Sequence, residues 1–228
     1  MEFRNVQLLE TVERETGAEP TACVIWLHGL GADGTDFVPL IPELGLPALP
    51  AVRFVFPHAP VRSVTINNGM RMRAWYDIVG VDLNHRADVA GVLQSRNEIE
   101  ALIAREKSRG ISASSIVLAG FSQGGVVALD TGLRHTERLA GIMALSTYVV
   151  QPENLSAEMA AVNREVPIFM GHGTADPVVR YEWGDASRRA LVQNGCQVEW
   201  HSYRMEHSLC LEEIRDIAGW LARVLRKQ

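Results

Sequence analysis

The chain has 228 residues, 47% hydrophobic and 21% charged, with a formal net charge of −5. That length suits one domain of the larger kind spanning residues 1–228, and the acidic balance argues against an electrostatic nucleic-acid binder. No run approaches the ~20 apolar residues that cross a bilayer, residues 1–5 carry no apolar signal core, and Cys23, Cys196 and Cys210 show no CxxC spacing. The cysteines therefore read as free thiols of a reducing cytoplasm, with no metal site expected.

Taken in order, residues 6–12 only partly alternate and read as an edge strand, while 13–20 is polar and reads as a turn. The first strong buried strand covers 22–27 and runs into the glycine-rich loop His28-Gly29-Leu30-Gly31-Ala32-Asp33-Gly34. A short helix over 36–44 is limited by Pro39 and Pro42. A second buried strand, 52–56, closes at Pro57. Residues 58–86 form the least regular long stretch, with Asn67-Asn68-Gly69 as its turn signal. A long helix is expected over 87–109, with Val92, Ile99, Leu102 and Ile103 on one face and Gly110 as its cap.

The stretch 116–129 organises the rest. It opens as a branched, apolar run suited to a fully buried strand and then tightens into Gly120-Phe121-Ser122-Gln123-Gly124, a G-x-S-x-G turn. A helix follows, and its first N–H groups and dipole point at the same spot as the serine hydroxyl. Further strands are expected over 139–145, 166–170 and 197–203. Between the first two of these lies an irregular stretch, 151–165, with at most a short helix. Helices are expected over 181–194 and 209–227. The last one carries Leu211, Ile214, Ile217, Ala218, Leu221, Val224 and Leu225 as a stripe, with Glu212 and Glu213 in its first turn complementing the dipole. Strands alternating with helices imply an α/β fold with a mostly parallel central sheet covered by helices on both faces.

A serine nucleophile needs a base, and the base needs an acid to orient it. In a parallel sheet these groups gather in loops at the carboxyl ends of strands. Asp176 follows the penultimate strand and His207 the last one, which gives the chain order serine, acid, histidine expected of an α/β-hydrolase. His28, His58 and His172 also sit at strand ends but fall in the wrong order or too near other loop roles. Asp185 competes as the acid but falls inside a helix. The oxyanion of a tetrahedral intermediate needs N–H donors, and the backbone amides of Gln123 and Leu30 are the candidates. Leu30 also reads as a pocket wall. A rival reading takes Gly29, Gly31 and Gly34 as a dinucleotide-binding G-x-G-x-x-G loop. Two prolines in the following helix and the absence of an acid after Phe54-Val55-Phe56-Pro57-His58 count against it. The other rival is a non-catalytic binding protein on a hydrolase fold, which normally has lost a member of the triad.

The glycine-rich loop, Trp75-Tyr76-Asp77, Gly120-Phe121-Ser122-Gln123-Gly124-Gly125, the Asp176 loop and His207 together resemble the phospholipase/carboxylesterase family. The match spans almost the whole chain in the right order. The resemblance implies an α/β-hydrolase without a large cap domain, a triad of Ser122, Asp176 and His207, and an oxyanion hole from the amides of Leu30 and Gln123. It implies hydrolysis of short-to-medium carboxylic esters, thioesters or lysophospholipids through an acyl-enzyme, with no cofactor. It also implies a hydrophobic acyl groove beside the serine, with Leu30, Ile66, Met70, Trp75 and Val178 as the expected lining. Some members form dimers, so a homodimer is an open expectation, and nucleic acid and stable membrane insertion are not expected. The tetrapeptide Leu145-Ser146-Thr147-Tyr148 leans toward the bacterial esterases of the family.

Overall fold

The computed structural model describes residues 8–46, 51–80 and 87–226. Parts of three expected elements lie outside the described residues: positions 6–7 of the first strand, 81–86 of the irregular stretch and 227 of the last helix.

Seven strands form the main sheet: β1 (Thr11–Glu15), β2 (Ala22–Leu27), β3 (Val52–Pro57), β6 (Ile116–Phe121), β7 (Gly141–Leu145), β8 (Pro167–Gly173) and β9 (Gln197–Tyr203). Their spatial order is β1-β3-β2-β6-β7-β8-β9. Only β1 runs antiparallel to its neighbour; every other pairing in this sheet is parallel. Parallel strands need crossover helices, and these cover both faces. Helices α2 (Val89–Ser108), α3 (Gln123–Arg134) and α5 (Tyr181–Gln193) pack on one face, while α6 (Leu211–Val224) and the single turn α1 (Leu40–Glu43) lie with the other. The alternation along β2 shows why both faces must be covered: Cys23, Ile25 and Leu27 enter one apolar layer, Val24 and Trp26 the other, and all are buried.

Several expectations need correction. The edge strand begins at Thr11 and takes in Glu13 and Glu15, which had read as the start of a turn. Its carboxylates are held by arginines, with Arg53 on Glu15 at 2.8 Å and Arg105 on Glu13 at 2.8 Å. The stretch after β3 is not irregular. It folds into an antiparallel hairpin, β4 (Val61–Val64) and β5 (Met70–Arg73), with Val64 opposite Met70. Asn68 at φ 54° and Gly69 at φ 75° turn the chain between them, and Asp77 anchors the turn by accepting the Thr65 amide at 2.7 Å and its hydroxyl at 2.5 Å. Strand β8 also runs three residues past its expected end, through Gly171, His172 and Gly173. The stretch 151–165, by contrast, is as expected and holds one short helix among its turns, α4 (Leu155–Glu158). At the last helix, Ile214, Ile217, Leu221, Val224 and Leu225 are buried, but Leu211, the first residue of the helix, is 65% exposed.

Candidate active site

Ser122 joins β6 to α3 in a backbone conformation of φ 54° and ψ −119°, a region that side-chain-bearing residues rarely occupy. Three things hold it there. Its amide donates to the Leu145 carbonyl at 2.8 Å. Its own carbonyl accepts the Thr147 hydroxyl at 2.7 Å. The flanking glycines let neighbouring backbones close in: a Cβ on Gly120 would sit 2.2 Å from the Gly124 carbonyl oxygen, and one on Gly124 would sit 2.5 Å from that of Leu27. The G-x-S-x-G spacing is thus a packing requirement of the turn. The serine is nearly buried and keeps 8% exposure.

At the carboxyl ends of β8 and β9 the structure brings Asp176 and His207 together. His207 Nδ1–H donates to Asp176 Oδ2 at 2.7 Å, which leaves Nε2 as the basic nitrogen. Asp176 Oδ1 accepts the amides of Val178 at 2.8 Å and Val179 at 2.9 Å. Burial alone would raise the Asp176 pKa, but the His207 bond, the His207 charge and the two amides outweigh it and hold the carboxyl below its ordinary value. The imidazole of His207 lies 4.7 Å from the ring of Phe121, the residue preceding Ser122. That tilted ring contact is the physical link between the acid–base pair and the serine turn.

The remaining histidines at strand ends are occupied elsewhere. Nδ1–H of His28 donates to the Gly29 carbonyl at 2.7 Å and Nε2 accepts the Ala59 amide at 3.1 Å, and burial pushes its pKa down to about 4. His58 accepts the Gly34 amide at 3.1 Å. His172 is buried, donates to the Val179 carbonyl at 2.8 Å and so helps shape the Asp176 loop, with burial lowering its pKa. Asp185 lies within α5 and pairs with Arg188 and Arg189.

Around the candidate oxyanion donors, the first turn of α3 leaves the Gln123 amide without an intrahelical acceptor. In the loop after β2, Gly31 donates to the Arg73 carbonyl at 2.9 Å and Ala32 to that of Gly29 at 3.3 Å; the amide of Leu30, which precedes both donors, takes no part in these turn bonds. The loop's glycines serve this packing. A Cβ on Gly29 would lie 3.6 Å from Ser122 Cβ, and one on Gly34 only 2.5 Å from the Phe56 carbonyl oxygen. The loop is followed by turns and the single turn α1, not by the long helix a dinucleotide fingerprint opens.

The expected groove residues divide. Met70 is 64% exposed, Val178 45% and Ile66 39%, and Leu30 is half-buried. Trp75 is not on a groove wall. It is fully buried, and its Nε1–H donates to the His28 carbonyl at 2.9 Å, because the chain turns inward after β5. The side chain of Gln123, unlike its amide, is not among the expected site groups; it is 2% exposed and bonded to both Trp75 and Tyr76. Its position directly after the nucleophile was the one available signal.

A strained serine where a central parallel strand gives way to a helix is the architecture of an α/β-hydrolase. The sequence agrees with the geometry. The chain belongs to the phospholipase/carboxylesterase family, whose profile matches residues 10–225. It is 39% identical over 234 residues to acyl-protein thioesterase 1 of Mycosarcoma maydis, a match covering 95% of this chain and 97% of that protein. Among solved structures, Arabidopsis thaliana SOBER1 superposes with a TM-score of 0.85 at 30% identity, covering 90% of this chain and 99% of the other. Acyl-protein thioesterase 2 of Zea mays gives a TM-score of 0.85 at 26% identity, with 95% and 99% covered. The chain therefore shares both the family and the fold of proteins named as acyl-protein thioesterases. The lean toward bacterial esterases draws no support from these relatives. Among the described residues no helix is long and apolar enough to cross a membrane.

Proposed function

We propose that Ser122, His207 and Asp176 form a catalytic triad that hydrolyses carboxylic esters and acyl thioesters through an acyl-enzyme. Ser122 attacks the carbonyl carbon while His207 Nε2 takes the hydroxyl proton. The amides of Leu30 and Gln123 hold the resulting oxyanion, and His207 returns the proton to the departing alcohol or thiol. Water then repeats the sequence on the acyl-enzyme. Asp176 keeps the proton on Nδ1 and stabilises the imidazolium. The observation that carries this reading is the strained Ser122 turn, linked through Phe121 to an imidazole already bonded to a buried carboxylate. The exposed side chains of Ile66, Met70 and Val178, with Leu30, supply the acyl-binding surface and favour short-to-medium chains. The likeness to acyl-protein thioesterases supports thioesters beside oxygen esters, and we place the activity in the cytoplasm, on small acyl substrates.

The test is labelling with a fluorophosphonate probe, followed by turnover of matched butyryl and octanoyl esters and thioesters. Wild-type protein takes up one probe per chain. Ser122→Ala takes up none and loses activity on the order of 10⁶-fold, the loss seen when a triad serine is removed. Near-wild-type hydrolysis of p-nitrophenyl butyrate by purified Ser122→Ala would overturn the assignment.

A further inference from the structure

The two amides proposed for the oxyanion hole belong to segments far apart in sequence: Leu30 in the loop after β2, Gln123 at the start of α3. Their separation has to be held to a fraction of an ångström for both to reach one oxygen. A third segment touches both. It is the short strap of residues 73–76 that leaves β5 and passes beneath the site.

On one side the strap is bonded to the serine turn. The Gln123 carboxamide accepts the Trp75 amide through Oε1 at 2.8 Å and donates through Nε2 to the Tyr76 carbonyl at 2.6 Å. One acceptor meets one backbone donor and one donor meets one backbone acceptor, a pairing that a carboxamide satisfies and an ionised carboxylate of this size does not. On the other side the strap is bonded to the oxyanion loop. The Trp75 indole N–H donates to the His28 carbonyl at 2.9 Å, and the Arg73 carbonyl accepts the Gly31 amide at 2.9 Å, so the strap grips the loop on both sides of Leu30. The Ser95 hydroxyl, from α2, donates to the Trp75 carbonyl and fixes the strap from below. Trp75, Gln123 and Ser95 are all buried, so water does not compete for these bonds.

We propose that the strap is the gauge of the oxyanion hole, with Trp75 and the Gln123 side chain as positioning residues that set the spacing of the Leu30 and Gln123 amides. The proposal rests on the triad reading above. Neither side chain touches substrate. Trp75→Phe keeps an aromatic ring, though a smaller one, and frees the His28 carbonyl. Gln123→Met keeps the length but frees the strap. Gln123→Glu keeps one bond and sets a carboxylate oxygen against the Tyr76 carbonyl.

A gauge acts on the transition state more than on the bound ester. For Trp75→Phe and Gln123→Met we expect kcat on p-nitrophenyl butyrate to fall about 10–100-fold per active site, short of the ~10²–10³ seen when a donor is removed outright. KM stays within about twofold, because ground-state contacts are untouched. Binding of a trifluoromethyl ketone, which places an oxyanion on Ser122, weakens in proportion to kcat/KM. The pH at which kcat/KM rises does not move, since the His207–Asp176 pair lies outside the strap. Active sites are counted by fluorophosphonate titration, so misfolded protein does not enter the rate, and Ser95→Ala serves as a third variant that loosens the strap from outside the site. Unchanged kcat and unchanged ketone affinity in folded Trp75→Phe and Gln123→Met would overturn the proposal. So would a rise in KM at constant kcat, which would make the strap a substrate contact, or a shifted pH profile, which would mean the base had moved. Wild-type protein that neither labels with fluorophosphonate nor binds the ketone would instead sink the triad reading beneath it.

Discussion

The site floor and the β4–β5 hairpin beside it are built on opposite principles. On the floor, Ser122, Gln123, Asp176 and Trp75 are each held by two or more hydrogen bonds and are nearly or fully buried. The hairpin has four-residue strands, leaves Val61 and Met70 largely in water, and ties its turn down through Asp77. Chemistry needs groups fixed before the substrate arrives, whereas binding chains of varied shape needs an apolar surface that can adjust. Changes to the floor are therefore expected to act on the rate for every substrate. Changes to the hairpin are expected to redistribute rate among substrates.

After Ser122→Ala, the largest effect should come from the acid. Asp176→Asn retains the shape of the side chain, but its amide can offer Nδ1 an N–H, which favours the tautomer with the proton on Nε2, where it blocks attack. A loss of about 10⁴ in kcat is expected, the size seen for that change in a well-studied triad. Asp185→Asn should leave kcat unchanged, since its partners are Arg188 and Arg189. The comparison between floor and hairpin would break if Asp176→Asn were selective for one chain length rather than uniform across the substrate panel.

The floor was largely legible in the sequence, and the hairpin was not. A buried parallel strand is a run of branched residues, and the turn that follows β6 can be built only with Gly120 and Gly124 where they stand. Such constraints leave marks on composition. Strands β4 and β5, by contrast, read Val-Arg-Ser-Val and Met-Arg-Met-Arg. They are short, mostly exposed and carry no long apolar run, so the Asn67-Asn68-Gly69 turn was visible without its strands. Strand β1 hid for a related reason: an edge strand rich in glutamate looks like a turn until its arginine partners are known. Trp75 shows the other limit. Its residue type says that it will pack, but whether against substrate or against the His28 carbonyl is decided by the inward turn of the strap.

Glu213 belongs with the interior and carries the next prediction. The sequence placed it as a dipole partner of α6, but it is fully buried beside β8, where a Cβ on Gly171 would meet its Oε1. Neither of its carboxyl oxygens has a partner among the described residues. Burial, and then the Asp216 charge, pushes its pKa up to about 8 from an ordinary 4.5. The folded state thus binds a proton that the unfolded chain has released between those values. The stabilisation is complete below the unfolded pKa and is lost as pH rises through the folded one, with a slope of up to ~1.4 kcal/mol per pH unit. That is about tenfold per unit in the folding equilibrium. Buried His28, held near 4 against an ordinary 6.5, has the opposite sign and loses its contribution as pH falls through that window. Subtracting the two urea-unfolding curves, wild type and Glu213→Gln, between about pH 5 and about pH 8.5 isolates the glutamate. Glu213→Gln should show the flatter alkaline limb. Parallel limbs would mean that Glu213 ionises freely in the folded protein.

The smallest effect, and the sharpest test of the contrast, lies in the hairpin. Met70 and Ile66 belong to the hairpin and its turn and Val178 to the loop that also carries Asp176; on the acyl surface proposed above, a chain leaving Ser122 would bury its methylenes one at a time. Each buried methylene can contribute at most ~0.8 kcal/mol, about fourfold in kcat/KM, and the gain stops where the surface ends. For wild type we expect kcat/KM on esters of two to sixteen carbons to rise from acetate, pass through a maximum at short-to-medium length and then decline. Met70→Ala and Ile66→Ala should each lower the medium-chain values a few-fold, move the maximum by a carbon or two, and leave the acetate ester and fluorophosphonate labelling unchanged. The same variants report on how far the hairpin is separable from the floor. Gly31 donates to the Arg73 carbonyl at the end of β5, and Met72 lies against Gly31, so the hairpin and the oxyanion loop share a boundary. If Met70→Ala slowed acetate and octanoate equally, the hairpin would be acting through that boundary on the oxyanion loop, and the division between a fixed floor and an adaptable wall would fail. A decline from acetate onward that neither variant alters would move the acyl surface away from the hairpin.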